Sequence, residues 1–460
     1  TVAIGYNALY ALSSGDGNTA IGYQAAGALT SAADNIAIGY AALLNHTTGG
    51  YNIAIGKNTM YDTDAGSTSL GSQHNIFIGL SAGGGIWADA ASNYNVGIGN
   101  YSMDAALNGA LNNTALGHYT LSSLTEGDSN VAIGYNAGGS LTTGGTNILI
   151  GRNAGSSGTD LAYTVIIGHT AGDAINTNNS QGSVLIGYEA GTNLTSGVNS
   201  LIGYYAGRYL STQGYNTMYG YEVGQYMNGS SNTFIGYYAG RGSSTSAPYG
   251  NGGNNVALGR EALKAISSGS YNVAIGRDSL KIATDGDHNI ALGYSSGVAL
   301  TSGDDNVLIG KNTAINLSTG TNNIAIGENA LYLENSGTYA IAIGYRAGYK
   351  NRISGTNYNT FMGYNAGREV STGNHNTFLG NHAGYGVDGS DADNNVAIGS
   401  YSLVNITGNN NIAIGYEAGR YASGSSNTFV GYASGKGGTT SEPFSSGQNN
   451  VAVGYRALTA

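Results

Sequence analysis

One short segment returns along the whole of this chain, and its spacing limits the fold more than any other feature. Residues 130–134 read NVAIG, and so do residues 272–276 and 395–399. Anchored on the final glycine, the segment occurs 26 times, from Gly5, Gly22 and Gly39 to Gly415, Gly431 and Gly454. Of the 25 intervals between these glycines, 13 are 17 residues, four are 16 and three are 23. A short, near-constant period means one supersecondary unit per repeat, stacked on its neighbours. Seventeen residues are too few for a pair of helices or a four-stranded blade. They suit one coil of a parallel β-solenoid. The 460 residues therefore read as one continuous solenoid, 1–460, of about 26 coils. Length alone would suggest about three domains, but a solenoid grows without splitting its core. The first residues, TVAIG, already lie inside a motif, which fits a segment of a longer chain.

Each column of the aligned repeats carries a physical meaning. Four residues before the glycine stands Asn in 22 of 26 copies, as at Asn130. Its side chain bonds nearby backbone and tolerates left-handed geometry, and stacked copies can bond one another. Three before is Val, Ile or Thr, as at Val131, except for Ser200; one before is aliphatic, as at Ile133, except for Tyr219. β-Branched residues favour strands, and alternate strand residues share a face. Val131 and Ile133 then point one way and Ala132 the other, and both faces are apolar. One face fills the coil; the other needs a second layer, for which a neighbouring subunit is the simple candidate. We expect Ala132, Phe234 and Phe378 to lie on the face opposite the coil's own core, and so to meet other chains of a homotrimer. Gly134 and its equivalents exclude a side chain through positive φ or close approach. The small residue three later, Ala137, closes a tight corner.

Composition excludes several classes. Charged residues are 9% of the chain, the net charge is −10, and no basic run occurs. Phosphate backbones demand clustered Lys and Arg, so nucleic acid is not an expected partner. There is no cysteine, hence no disulfide framework and no thiolate metal site. No apolar run approaches the ~18 residues of a membrane helix, so direct insertion of this segment in a membrane is not expected. No cofactor motif stands out from the glycine-rich background.

The motif N-[VIT]-A-I-G, followed by a small residue and a Ser/Thr/Gly-rich turn, resembles the YadA-like head repeat of trimeric autotransporter adhesins. Similar repeats occur in phage tail-fibre proteins. NTAIG (18–22), NIAIG (35–39) and NVAIG (130–134 and 395–399) carry the resemblance, which covers the whole chain. It implies a left-handed parallel β-roll, three chains around one axis, and an adhesive or fibrous role outside the cell, on a bacterial surface or a virion. The coil is longer here than is common in those heads, and neither a coiled-coil stalk nor a membrane anchor is present.

Two sets of residues are candidates for binding. Tyr follows the glycine in 14 coils, including Tyr23, Tyr135, Tyr188 and Tyr455. That column is either a ladder for a surface glycan or packing between coils at a wet edge. The second set lies in two long turns, 237–255 and 432–450, which hold the only prolines, Pro248 and Pro443, followed by Tyr249 and Phe444. Residues 216–263 resemble residues 411–458 at an offset of 195, so these turns recur in a super-repeat. They are decorations or loops for a protein or glycan receptor.

Catalytic or metal-binding residues do not assemble in the sequence. The seven histidines are scattered, and His74, His288 and His375 occupy a position that other coils give to Tyr. Asp285, Asp287, Asp388, Asp391 and Asp393 match no calcium-loop pattern. The reading is a structural and adhesive fibre segment. A polysaccharide-cleaving β-helix would need one coil that breaks the pattern with clustered acids, Arg or Lys. An ice-binding solenoid would need a regular Thr array, whereas Val, Ile and Thr are mixed here.

Overall fold

The computed structural model describes residues 1–64, 71–87, 90–176, 178–242, 249–438 and 446–459. Among them the chain is all-β, with no α-helix and one 3₁₀ turn at Asn178–Ser180. Two compact units, Thr1–Asn228 and Gly229–Ala460, each carry thirteen motif strands. Within each unit the strands stack in chain order, parallel and in motif register, as in Val131↔Ile148 and Val256↔Val273. Each unit is thus a parallel β-solenoid with a repeat of about 17 residues.

Most strands are three residues long because the motif glycine ends them. Gly134 has φ 128°, and a Cβ there would lie 2.7 Å from the carbonyl oxygen of Gly151 in the next coil. Left-handed backbone and close approach both exclude a side chain. Beyond the glycine, residues with positive φ alternate with ordinary ones, as at Asn136 (φ 56°) and Gly138 (φ 59°). The alternation swings successive peptides up and down the stack. Asn136 N–H therefore donates to His118 in the coil below, and Gly138 N–H to Ala154 in the coil above. Inter-coil hydrogen bonding continues around the corner that Ala137, fully buried, closes.

The Asn column is a buried ladder. Oδ1 of Asn113 accepts both the backbone N–H and the side-chain amide of Asn130, each at 3.0 Å. The same amide also donates to the Gly144 carbonyl at 3.0 Å. The ladder satisfies polar groups that a buried turn would otherwise strand. Thr164 joins it through its hydroxyl, at 2.8 Å from Asn147 Oδ1.

The two strand faces are reversed from the sequence expectation. Ala132, Phe234 and Phe378 are fully buried inside their own coils, and Val131 and Ile133 face outward, half-buried. The corner explains the reversal. Its small inward residue and the left-handed position after it leave room on the side where the motif's middle residue points. That side accepts Ala in some coils and Phe in others.

A size exchange makes this possible. Eleven coils carry Leu, Ile, Met or Phe two before the glycine, and ten of them have Gly four after it. A Cβ on Gly240 would lie 2.3 Å from the Phe234 ring, and one on Gly384 2.2 Å from Phe378. Where the strand residue is small, the corner is usually Leu or Met, as with Ala257 and Leu263. Ala132 and Gly138 form a switch coil: Leu121 fills the gap from below and Leu149 from above. The core thus stays at close-packed density while its large residues move between two columns.

Seven residues after the glycine lies a further core column, with Leu124, Leu141, Leu194 and Leu300 fully buried. Among the described residues it turns polar in two places. His46 and Thr63 interrupt it in the first unit, and Glu334 and Asn351 in the second. Beside the second interruption, Ser336–Thr338 and Ser354–Thr356 pair as a separate two-stranded parallel sheet.

Candidate functional surface

The Tyr column runs up the outside of the coils, and Tyr23, Tyr135, Tyr188 and Tyr455 are all exposed. The strand spacing of ~4.8 Å brings successive rings face to face. Tyr23 lies between Tyr6 and Tyr40 at centroid distances of 5.3 and 5.1 Å, nearly parallel to both. Tyr188 is held between His169 and Tyr204 at 5.2 and 5.3 Å. Tyr455 stacks on Tyr432 at 5.2 Å. Where a run stops, a cation covers the last face: Lys57 over Tyr40 at 5.7 Å, and Arg152 over Tyr135 at 6.0 Å. A sugar that stacks on a ring needs an open face. Here Tyr23 and Tyr188 spend both faces on neighbours and offer edges and hydroxyls outward. The geometry is that of packing between coils at a wet edge, with cation–π contacts closing the stacks.

Of the long-turn candidates, Tyr249 is half-buried, while Pro248, Pro443 and Phe444 lie outside the described residues. Near these turns the surface carries ion pairs both within a coil and from coil to coil. Lys281 reaches Glu261 at 2.6 Å and Asp278 at 3.1 Å. Its hydrogen bond holds the Glu261 carboxyl below the usual range. Lys436 meets Glu417 at 2.6 Å in the later coils, where Arg420 joins the same carboxylate. In these pairs the carboxylates are nearly buried and the cations half-buried, so each acid is neutralised where it leaves the solvent.

His74, His288 and His375 are exposed, and His74 stacks between Tyr51 and Tyr94 at 4.9 and 5.1 Å. His46 differs. It is fully buried, with Nε2 2.7 Å from the Gly49 carbonyl and Nδ1 2.7 Å from Thr63 Oγ1. A carbonyl only accepts, so Nε2 carries the proton and Nδ1 accepts the Thr63 hydroxyl. Burial holds the imidazole below its ordinary value, against the opposing pull of Asp64 at 3.7 Å and of the Gly49 bond. Glu334 is its acidic counterpart. Its Oε1 accepts the N–H groups of Asn335 and Gly337 at 3.0 and 2.9 Å, and its Oε2 accepts Asn357 Nδ2 at 2.9 Å. Burial pushes this carboxyl up, and those hydrogen bonds pull it partly back.

Neither group is visible in the motif, since both stand seven residues after a coil glycine where Leu is usual. Extending the repeat alignment to that column is the signal that finds them. Both sites are closed to solvent, and His46 and Glu334 spend their own polar atoms on the chain, while Asp64 Oδ1 and Asn351 Nδ2 beside them make no hydrogen bond. Among the described residues, no three His, Cys, Asp or Glu side chains converge on a position for a metal ion.

The remaining surface feature is the outward strand face. Its two columns contain Val, Ile, Leu, Met and Thr, with Ser200 and Tyr219 the exceptions and no charged residue in any coil. Ile98, Ile148, Ile275, Ile290 and Ile398 are exposed on it. Comparison of the chain with protein-family models, with curated proteins and with solved structures finds no match.

Proposed function

We propose that this chain is a structural and adhesive segment of an extracellular fibre, assembled from three copies, that supplies length and displays loops for attachment. The outward aliphatic face carries the reading. A monomeric surface rarely holds a continuous apolar patch of this kind without a partner. Covering the remaining exposed part of one half-buried Val or Ile there is worth about 0.5–1.5 kcal/mol, and the gain repeats at every coil. A partner that covers such a face must itself repeat at the strand spacing of ~4.8 Å, and another copy of the chain does so. Three copies around one axis, on a bacterial surface or a virion, is the arrangement that the resemblance to YadA-like heads implies. A surface glycan or a protein receptor would then meet the long turns at 237–255 and 432–450 rather than the stacked Tyr rings.

Native mass measurement of the isolated segment is expected to give three chains. A monodisperse single chain with full β-structure would sink the reading. Trimming both long turns to regular coil length should abolish attachment to the target surface and leave that mass unchanged.

A further inference from the structure

Across 26 coils the outward columns depart from Val, Ile, Leu, Met and Thr twice, at Ser200 and at Tyr219. The two departures are in adjacent strands, Asn199–Ile202 and Asn216–Tyr219, where Ser200 faces Thr217 and Ile202 faces Tyr219. Tyr219 leans back across the sheet, and its hydroxyl lies 2.9 Å from Ser200 Oγ. The two exceptions to the column chemistry are thus one hydrogen-bonded pair. On a face exposed to water, a lone Ser or Tyr would need no partner, and either could fall in any coil.

We infer that Ser200 and Tyr219 set the register in which copies of the chain meet along this face. The inference rests on the self-association proposed above. Uniform aliphatic columns match one another equally well after a slip of one coil, so they specify contact without specifying height. A polar pair in such a seam breaks the degeneracy, as a single buried Asn does in a coiled coil. The pair has two O–H donors. One is spent internally, so each chain has one left to donate and oxygen lone pairs left to accept. Copies related by a rotation axis at equal height donate to one neighbour and accept from the other, closing a ring. After a slip of one coil the pairs no longer face each other. Downward, Ser200 meets the Val184 and Ile186 level, and its hydroxyl finds no partner there. Upward, the pair meets Thr217 and Thr233, and the ring of equal pairs stays unclosed.

The absence of cysteine makes a disulfide test clean. Single-cysteine chains Ile133→Cys, Ile150→Cys and Ile167→Cys, on three successive strands, are mixed pairwise and oxidised. The native pair is expected to give interchain disulfides between equal levels. In a Ser200→Val/Tyr219→Ile background, which restores the column residues, disulfides between unequal levels should rise roughly tenfold. Tyr219→Phe, which keeps the ring and removes only the hydroxyl, should shift the ratio the same way. Equal-level disulfides that persist unchanged in both backgrounds would overturn the register role while leaving association intact. Absence of interchain disulfides, together with a single-chain mass, would overturn association itself.

Discussion

The coil around His46 and the coil around Glu334 replace the same core leucine, one with a base and the other with an acid. Each solution follows from what the backbone offers. At His46 the stack presents a carbonyl, Gly49, and a hydroxyl, Thr63, so a neutral imidazole that donates once and accepts once is satisfied. At Glu334 the stack presents N–H groups, Asn335 and Gly337, so a carboxyl that accepts fits. The acid site also repairs a break. Ala340 stands where the ladder calls for Asn, and its N–H still donates to Asn323 Oδ1 at 2.9 Å. The next rung is supplied from elsewhere: Asn357 Oδ1 accepts Asn359 N–H at 3.2 Å, and the Asn357 amide donates to Glu334. A solenoid interior therefore takes a titratable group where local backbone polarity matches it, and a gap in one column is closed by a residue from another.

The largest expected effect contrasts the two replacements directly. Glu334→Leu restores the core column but strands the donors of Asn335, Gly337 and Asn357, at a cost of about 2–4 kcal/mol. His46→Leu leaves the Gly49 carbonyl bonded to Asn35 Nδ2 at 3.0 Å and strands chiefly the Thr63 hydroxyl, and the added burial offsets part of that, for a net cost of about 1 kcal/mol or less. Repeat stacks open locally, so hydrogen exchange over residues 331–359 and 39–63 is the measurement. Equal losses of protection in the two variants would erase the distinction drawn here.

Acidification should move the two coils in opposite directions. Glu334 titrates above its ordinary value of 4.5, so its stabilising contribution is full below that value and is lost as pH rises through the raised one. His46 titrates below its ordinary value of 6.5, so its contribution is full above that value and is lost as pH falls through the depressed one. Lowering pH from neutral through both ranges should lower the amide protection factors, taken relative to intrinsic exchange at each pH, several-fold around 39–63 and raise them around 331–359. Protection factors that change in the same sense in both coils would break the comparison.

The smallest effect tests the repair. Ala340→Asn supplies the missing rung and alone should change stability by about 0.5 kcal/mol or less. Asn357→Ala alone should cost about 1–3 kcal/mol. Together, if the two amides serve one slot, the Asn at 340 should recover part of that cost, with a coupling of at least ~0.5 kcal/mol in a double-mutant cycle. Strict additivity would show that Asn357 does not stand in for the ladder.

Much of this fold was legible in the sequence because its rules recur every coil. Asn130 as ladder, Gly134 as excluded side chain, Ala137 as tight corner and Val131–Ile133 as parallel strand all follow from column chemistry. The inward face was not legible, because both faces are apolar. The column that varies most in size, Ala132 against Phe234, is the one that fills the coil, and its variation is tolerated only because the corner residue changes with it. That pairing links positions six residues apart, Phe234 with Gly240 and Ala257 with Leu263, which a single column does not display. His46 and Glu334 were hidden for a simpler reason: their column lies seven residues after the glycine, beyond the motif that was aligned. The Tyr column was legible as surface, but the stacking that covers its rings depends on the rise between coils.

The size exchange also governs how such a chain can be rearranged by duplication. A coil with Ala in the strand and Leu in the corner can stand on its own kind, but a Phe coil laid above it meets a leucine where it needs a gap. From leucine corners the chain crosses that boundary through coils such as Ala132 with Gly138 and Ala413 with Gly419, small in both positions, before Leu149 and Phe429 follow; only the flexible corner Met60 is followed directly by a Phe coil, that of Phe77 and Gly83. The return is direct, from Phe378 and Gly384 to Ala397 and Leu403. Coil order therefore obeys a directional grammar. A duplicated or transplanted block keeps a sound interior when its two ends fall in compatible packing phases, and cutting at the motif alone does not secure this. Shuffling whole coils from one phase into the other should give chains with an intact motif, full ladder and correct period that nonetheless stack poorly at a single predictable joint.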